Sequence, residues 1–142
     1  MVGLWITEAL KPKTAIIFVP SIALVEQLMR EWLGATRMNG TASMAVCSDT
    51  SVAPEEDSVR LAAADLDFPI STSPHEVRRF LDAHIAGPKL VFCTYDSAWV
   101  VGKAMRRGER FDVGVFDEAH KTAGRVGRKF AFALSDRNFS IK

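Results

Sequence analysis

Four consecutive residues, Asp117, Glu118, Ala119 and His120, carry the side chains in this sequence best suited to chemistry, and they follow directly on the apolar run VGVF at 113–116. Two adjacent carboxylates can divide the work of metal-assisted hydrolysis. One holds Mg²⁺, directly or through water, while its neighbour orients and deprotonates the attacking water. The position counts as much as the residue types, because in a parallel α/β sheet catalytic groups collect just beyond the carboxyl ends of the strands. Acids at a strand-to-helix turn also serve as plain helix caps. The complete four-residue string is rarer than that use, arising by accident in roughly one chain of this length in a thousand. String and preceding strand together favour chemistry.

The remaining reactive side chains form no comparable group. Cys47 and Cys93 each lie inside an apolar run with no Cys-x-x-Cys pair, which reads as buried, reduced thiols in a cytoplasmic protein. His75, His84 and His120 share no metal-ligand spacing with the cysteines, so a zinc site is not expected, and His84 reads as lying on a helix face. Arg78, Arg79, Arg106, Arg107 and Arg110 read as solvated helix ends. Arg125, Arg128 and Lys129 read the same way, with phosphate contact as the alternative because they follow the acids closely.

Elements able to position the acids are legible along the chain. The runs 15–19 (AIIFV), 90–93 (LVFC) and 113–116 (VGVF) are short, continuous and apolar, the pattern of strands buried on both faces, and 43–47 (SMAVC) is a weaker fourth. Ile22, Leu24, Val25, Leu28, Met29, Trp32 and Leu33 recur at helical spacing behind Pro20 and a Ser21 cap. Val77, Phe80, Leu81, His84 and Ile85 mark a second helix, with Ser73 as cap, Pro74 at its first position, Glu76 completing a capping box and Gly87-Pro88 stopping it. Asp96 is expected to cap a third helix through Met105, and 125–134 to form a fourth. Residues 2–10 read as a helix, 139–141 as the start of a strand, and the polar stretch 48–72 as a surface loop with a short helix near 59–64. Strand and helix in alternation imply a three-layer α/β domain with a parallel sheet.

Bulk properties agree. A chain of 142 residues that is 48% hydrophobic and 25% charged can bury a core as one domain, or most of one. Its 18 basic and 17 acidic residues nearly cancel, so any polyanion contact has to be local. The apolar runs are far shorter than the roughly 20 residues a membrane-spanning helix needs. No membrane partner is expected.

The segment FDVGVFDEAHKTAG resembles motif II, the Walker B segment, of superfamily-two DEAH-type helicases and of the helicase subunits of restriction systems. IIFVPSIALVEQ at 16–27 resembles their motif Ia, and VFCTYDSA at 91–98 their motif Ib, in the same order and at matching spacing. The resemblance implies a RecA-like motor domain in which Asp117 coordinates Mg²⁺, Glu118 is the general base for ATP hydrolysis, and His120 couples the nucleotide site to a second motor domain. It places Pro20, Ser21, Thr94 and Tyr95 on the face that contacts a DNA or RNA backbone. A helix amino end at Ser21 and a hydroxyl at Thr94 can donate to phosphates without reading sequence.

Hydrolysis in that family also needs a Gly-x-x-x-x-Gly-Lys-Ser/Thr loop, and the sequence has none. Gly102-Lys103 has Ser97 in place of the first glycine and Ala104 after the lysine, and no glycine precedes Lys13-Thr14 at the required distance. Helix 2–10 resembles the later part of the helix that comes after such a loop. The expectation is therefore a partial first motor domain over 1–142, beginning after the phosphate-binding loop and ending before motif III. The complete motor would bind ATP and Mg²⁺; this chain alone would bind neither tightly and would not hydrolyse ATP. The alternative is a non-catalytic nucleic-acid-binding or protein-interaction module built on the same fold.

Overall fold

The computed structural model describes residues 2–47, 70–117 and 140–141. In chain order these form α1 (Val2–Leu10), β1 (Thr14–Val19), α2 (Ile22–Ala35), β2 (Ala42–Val46), β3 (Ile70–Ser71), α3 (Pro74–Asp82), β4 (Lys89–Thr94), a 3₁₀ turn (Tyr95–Ser97), α4 (Ala98–Ala104), β5 (Arg110–Phe111), β6 (Val113–Phe116) and β7 (Ser140–Ile141). Five strands make one sheet in the order β3-β2-β4-β1-β6, and every pairing in it is parallel. The two-residue strands β5 and β7 pair separately, also in parallel.

Burial on both faces explains the continuous apolar runs of the two central strands. Residues alternate across the sheet. Ile16 and Phe18 of β1, Val91 and Cys93 of β4, and Met44 and Val46 of β2 pack with Val77 of α3 and with Val100, Val101 and Ala104 of α4. Ala15, Ile17 and Val19, with Leu90, Phe92, Ala45 and Cys47, face the other way onto Leu4 of α1 and Val25, Met29 and Trp32 of α2. Trp32 meets Phe92 edge-on, with ring centroids 5.7 Å apart. The result is the expected three-layer α/β architecture, helices on both faces of a parallel sheet. The outer side of α1 remains apolar, with Val2, Trp5, Ile6 and Leu10 exposed.

Two glycines carry the packing of loops and an edge strand. A β-carbon at Gly87 would lie 2.3 Å from the Gly40 carbonyl carbon, so the stop signal after α3 is a site of backbone-to-backbone approach. A β-carbon at Gly114 would lie 2.4 Å from Ile141 Cδ1, the flexible end of a side chain that packs against β6.

Several expectations are corrected. The 48–72 loop ends in β3, because Ser71 and Ile70 join the edge of β2. Helix α3 stops at Asp82, so His84 and Ile85 lie beyond it and His84 is on no helix face. Its capping box does not form: Ser73 makes no side-chain cap bond, and the Glu76 carboxylate accepts from the Ser71 hydroxyl instead. Asp96 does not cap the third helix either. It sits within the 3₁₀ turn, and α4 begins at Ala98. The expected helices at 59–64 and 125–134 lie outside the described residues. No helix among the described residues is long and apolar enough to cross a membrane.

Candidate functional site

Strand register gathers three sequence-selected segments at the carboxyl edge of the sheet. Val19 at the end of β1 pairs with Thr94 at the end of β4, and Phe18 pairs with Phe116 at the end of β6. One residue further, the Asp117 N–H donates to the Phe18 carbonyl at 2.9 Å and continues the ladder. With neighbouring strands about 4.8 Å apart, the ends of β4, β1 and β6 span roughly 10 Å.

The end of β1 points outward. Pro20 and Ser21 are exposed, and the Ser21 hydroxyl accepts from the Leu24 N–H at 3.4 Å as the N-cap of α2. The 14-residue helix α2 directs its positive dipole end at this position, a setting that favours an anion.

The end of β4 points inward. Thr94 is 5% exposed, and its hydroxyl donates to the Ser97 hydroxyl at 2.9 Å. Tyr95 is 4% exposed, with its ring stacked on Phe18 at 5.5 Å and 22°. Phe18 stacks in turn on Phe116 at 5.2 Å and 20°. This three-ring ladder crosses β4, β1 and β6, and at its top the Tyr95 hydroxyl donates to the Asp117 carbonyl at 2.9 Å. Burial, with the Asp117 charge adding to it, pushes the Tyr95 phenol well above its ordinary value, so it stays a proton donor.

Asp117 is half-buried at the end of β6. Its carboxylate oxygens are the hard donors that Mg²⁺ prefers, and Mg²⁺ in nucleotide sites takes one or two carboxylates together with phosphate oxygens. Among the described residues no group of three or more His, Cys, Asp or Glu side chains converges. One strand-end carboxylate fits a metal brought in with phosphates. Glu118 and His120 lie outside the described residues, as does the basic group Arg125, Arg128 and Lys129.

A broad cleft of about 920 Å³ opens at the opposite, amino-terminal edge of the sheet, between Lys11, Lys13, Asn39, His84 and Pro88. It contains no carboxylate and none of the segments above, so strand polarity, not cleft volume, marks the site.

Charged residues near α3 have a structural use that the sequence does not announce. Arg78 is no solvated helix end. Its guanidinium donates to both Glu109 oxygens, at 2.6 and 3.0 Å, to Asp82 at 2.9 Å and to the Ala104 carbonyl at 3.0 Å, clamping α3 to the end of α4. Arg106 adds a bond to Asp82 at 2.9 Å. The Arg78 bonds hold the Glu109 carboxyl below its ordinary value. Asp112 accepts from the Lys13 and Thr14 amides at 2.8 and 3.2 Å and so fixes the start of β1. Asp82 lies one helical turn from Arg78, but Glu109 and Ala104, like the Tyr95 partner Asp117, are distant in sequence, which hides those contacts from spacing arguments.

No protein-family model and no curated protein sequence matches the chain significantly. Among solved structures it is similar to a nuclease-deletion mutant of the Type ISP restriction-modification enzyme LlaGI in complex with a DNA substrate mimic, with a TM-score of 0.75 and 32% identity. The match covers 97% of this chain and 11% of that one. The chain spans about a tenth of the neighbour's length, and over that span the two share a fold.

Proposed function

We propose that the chain is part of the first motor domain of an ATP-dependent helicase or translocase acting on nucleic acid, and that the carboxyl edge of its sheet is the working face. The observation carrying this reading is the placement of Asp117, bonded to β1 and set beside both the Ser21 helix end and the Thr94-Tyr95 turn. Similarity over 97% of the chain to an enzyme in complex with a DNA substrate mimic supports it and favours DNA.

In this reading Asp117 holds Mg²⁺, Glu118 takes the proton from the attacking water, and His120 links the site to a second motor domain. Pro20 and Ser21 meet the nucleic-acid backbone, with Thr94 and Tyr95 forming the adjoining strand end. Bound ATP with Mg²⁺ would supply the scissile phosphoryl group. Phosphoryl transfer depends on positioning and charge stabilisation, and an arginine finger alone contributes about a thousandfold or more. With no phosphate-binding loop in its sequence, the 142-residue chain is expected to release no phosphate from ATP, with or without single-stranded DNA. Joined in frame to such a loop and a second motor domain, it is expected to show DNA-stimulated release that Glu118→Gln abolishes. Release by the isolated chain that Glu118→Gln removes would overturn the incomplete site. Release by the joined protein that Glu118→Gln leaves intact would overturn the assigned base.

A further inference from the structure

The ring ladder gives Tyr95 a task different from touching a ligand. Its side chain is buried against Phe18, and its hydroxyl is already committed to the Asp117 carbonyl at 2.9 Å. A phosphate could reach that hydroxyl only by displacing the ring from the core. The same bond runs from the end of β4 to the end of β6 and passes over β1, the strand whose end carries Ser21. Asp117 is thereby held at two backbone atoms, its N–H by Phe18 and its carbonyl by Tyr95.

We propose that Tyr95 is a positioning residue: through its hydroxyl it fixes the backbone of Asp117 and makes the turn after β4 and the acid after β6 move as one unit when the carboxyl edge engages a nucleic-acid strand. This rests on the function proposed above. Packed elements with two discrete arrangements transmit such coupling, and a hydrogen bond between the two strand ends is a natural carrier. The adjacent Thr94–Ser97 hydroxyl pair stiffens the turn at its other end, so displacement there is passed on to Tyr95 rather than absorbed.

Tyr95→Phe keeps the ring stack and removes only the hydroxyl. The test uses site-resolved amide hydrogen exchange of the full 142-residue chain with and without an oligothymidylate, together with the affinity for that oligonucleotide and the urea midpoint. In the wild type, oligonucleotide binding is expected to change the exchange rate of the Asp117 amide by about fivefold or more, the low end of typical coupling. In Tyr95→Phe the oligonucleotide affinity stays unchanged and the response at Asp117 disappears, while amides in the middle of β1 and β4 exchange as before. A retained response overturns the proposal, and weakened oligonucleotide binding overturns it in favour of direct contact. If the wild type binds no oligonucleotide, the functional reading fails first and the coupling with it. A purely structural tyrosine would lower the urea midpoint without altering the response to the oligonucleotide.

Discussion

Two strand ends lie side by side at the carboxyl edge of the sheet and face opposite ways. After β1, Pro20 and Ser21 stand in solvent at the amino end of a 14-residue helix. After β4, Thr94 and Tyr95 turn under the surface, where each hydroxyl has a protein partner. Both segments carry hydroxyls at or just past the end of a buried strand, so composition alone makes them equivalent. The next element in the chain separates them. β1 runs into a long helix whose cap must stay at the surface, whereas β4 runs into a three-residue 3₁₀ turn that folds back over the core. One end stands open at the surface, and the other holds its neighbours.

The largest effect on that contrast comes from the ring both halves share. Phe18→Ala removes the middle of the ladder and leaves a cavity between Tyr95 and Phe116, with an expected cost of about 3–5 kcal/mol in urea unfolding. A loss under about 1 kcal/mol, the scale of a conservative core change, would show that the ladder does not organise this edge. Thr94→Val comes next. It leaves the buried Ser97 hydroxyl without its Thr94 partner, at an expected cost of about 1–3 kcal/mol, and does not alter oligonucleotide affinity. Weaker binding at unchanged stability would turn that strand end outward and dissolve the contrast.

The Arg78 clamp offers a control away from the site. Because Arg78 holds the folded Glu109 carboxyl below its ordinary value of 4.5, the clamp's contribution is complete above that pH and is lost as pH falls through the folded value. Glu109 is partly solvated, so the contribution is about 1 kcal/mol after screening. Urea midpoints measured downward from neutral pH should hold steady and then drop below about pH 4.5, with a shallower drop in Glu109→Gln. An unchanged drop in the variant would assign the acid sensitivity to other carboxylates.

Ser21→Gly is the smallest change in stability, a few tenths of a kcal/mol, because glycine is tolerated at an N-cap. Its effect belongs to binding: loss of the exposed hydroxyl should weaken oligonucleotide affinity while the fold persists. An unchanged affinity would leave the helix end, not the hydroxyl, as the contact.

Much of the architecture is legible in the sequence because burial on both faces forces β1 and β4 into unbroken apolar runs, and helix α2 announces itself by period and cap. The short pieces are not. β3 and β5 contribute two residues each, too few for any periodicity, and Ile70–Ser71 comes after a polar stretch that looks like loop. Strand order is set by crossovers, which no local pattern records. Asp117 stands out by its position after an apolar run, and the structure places it at the end of β6. The direction in which Tyr95 points depends on Phe18, far away in the chain, through a register that only the folded sheet defines.

The central claim, that this edge meets a nucleic-acid backbone, is tested most directly by a salt titration of the 142-residue chain with a fluorescent single-stranded oligonucleotide. Phosphate contacts predict binding at low salt whose logarithm falls linearly as the logarithm of salt rises, with a slope of about −0.7 for each phosphate neutralised. Absence of binding at low salt would contradict the account and remove Ser21 from the site.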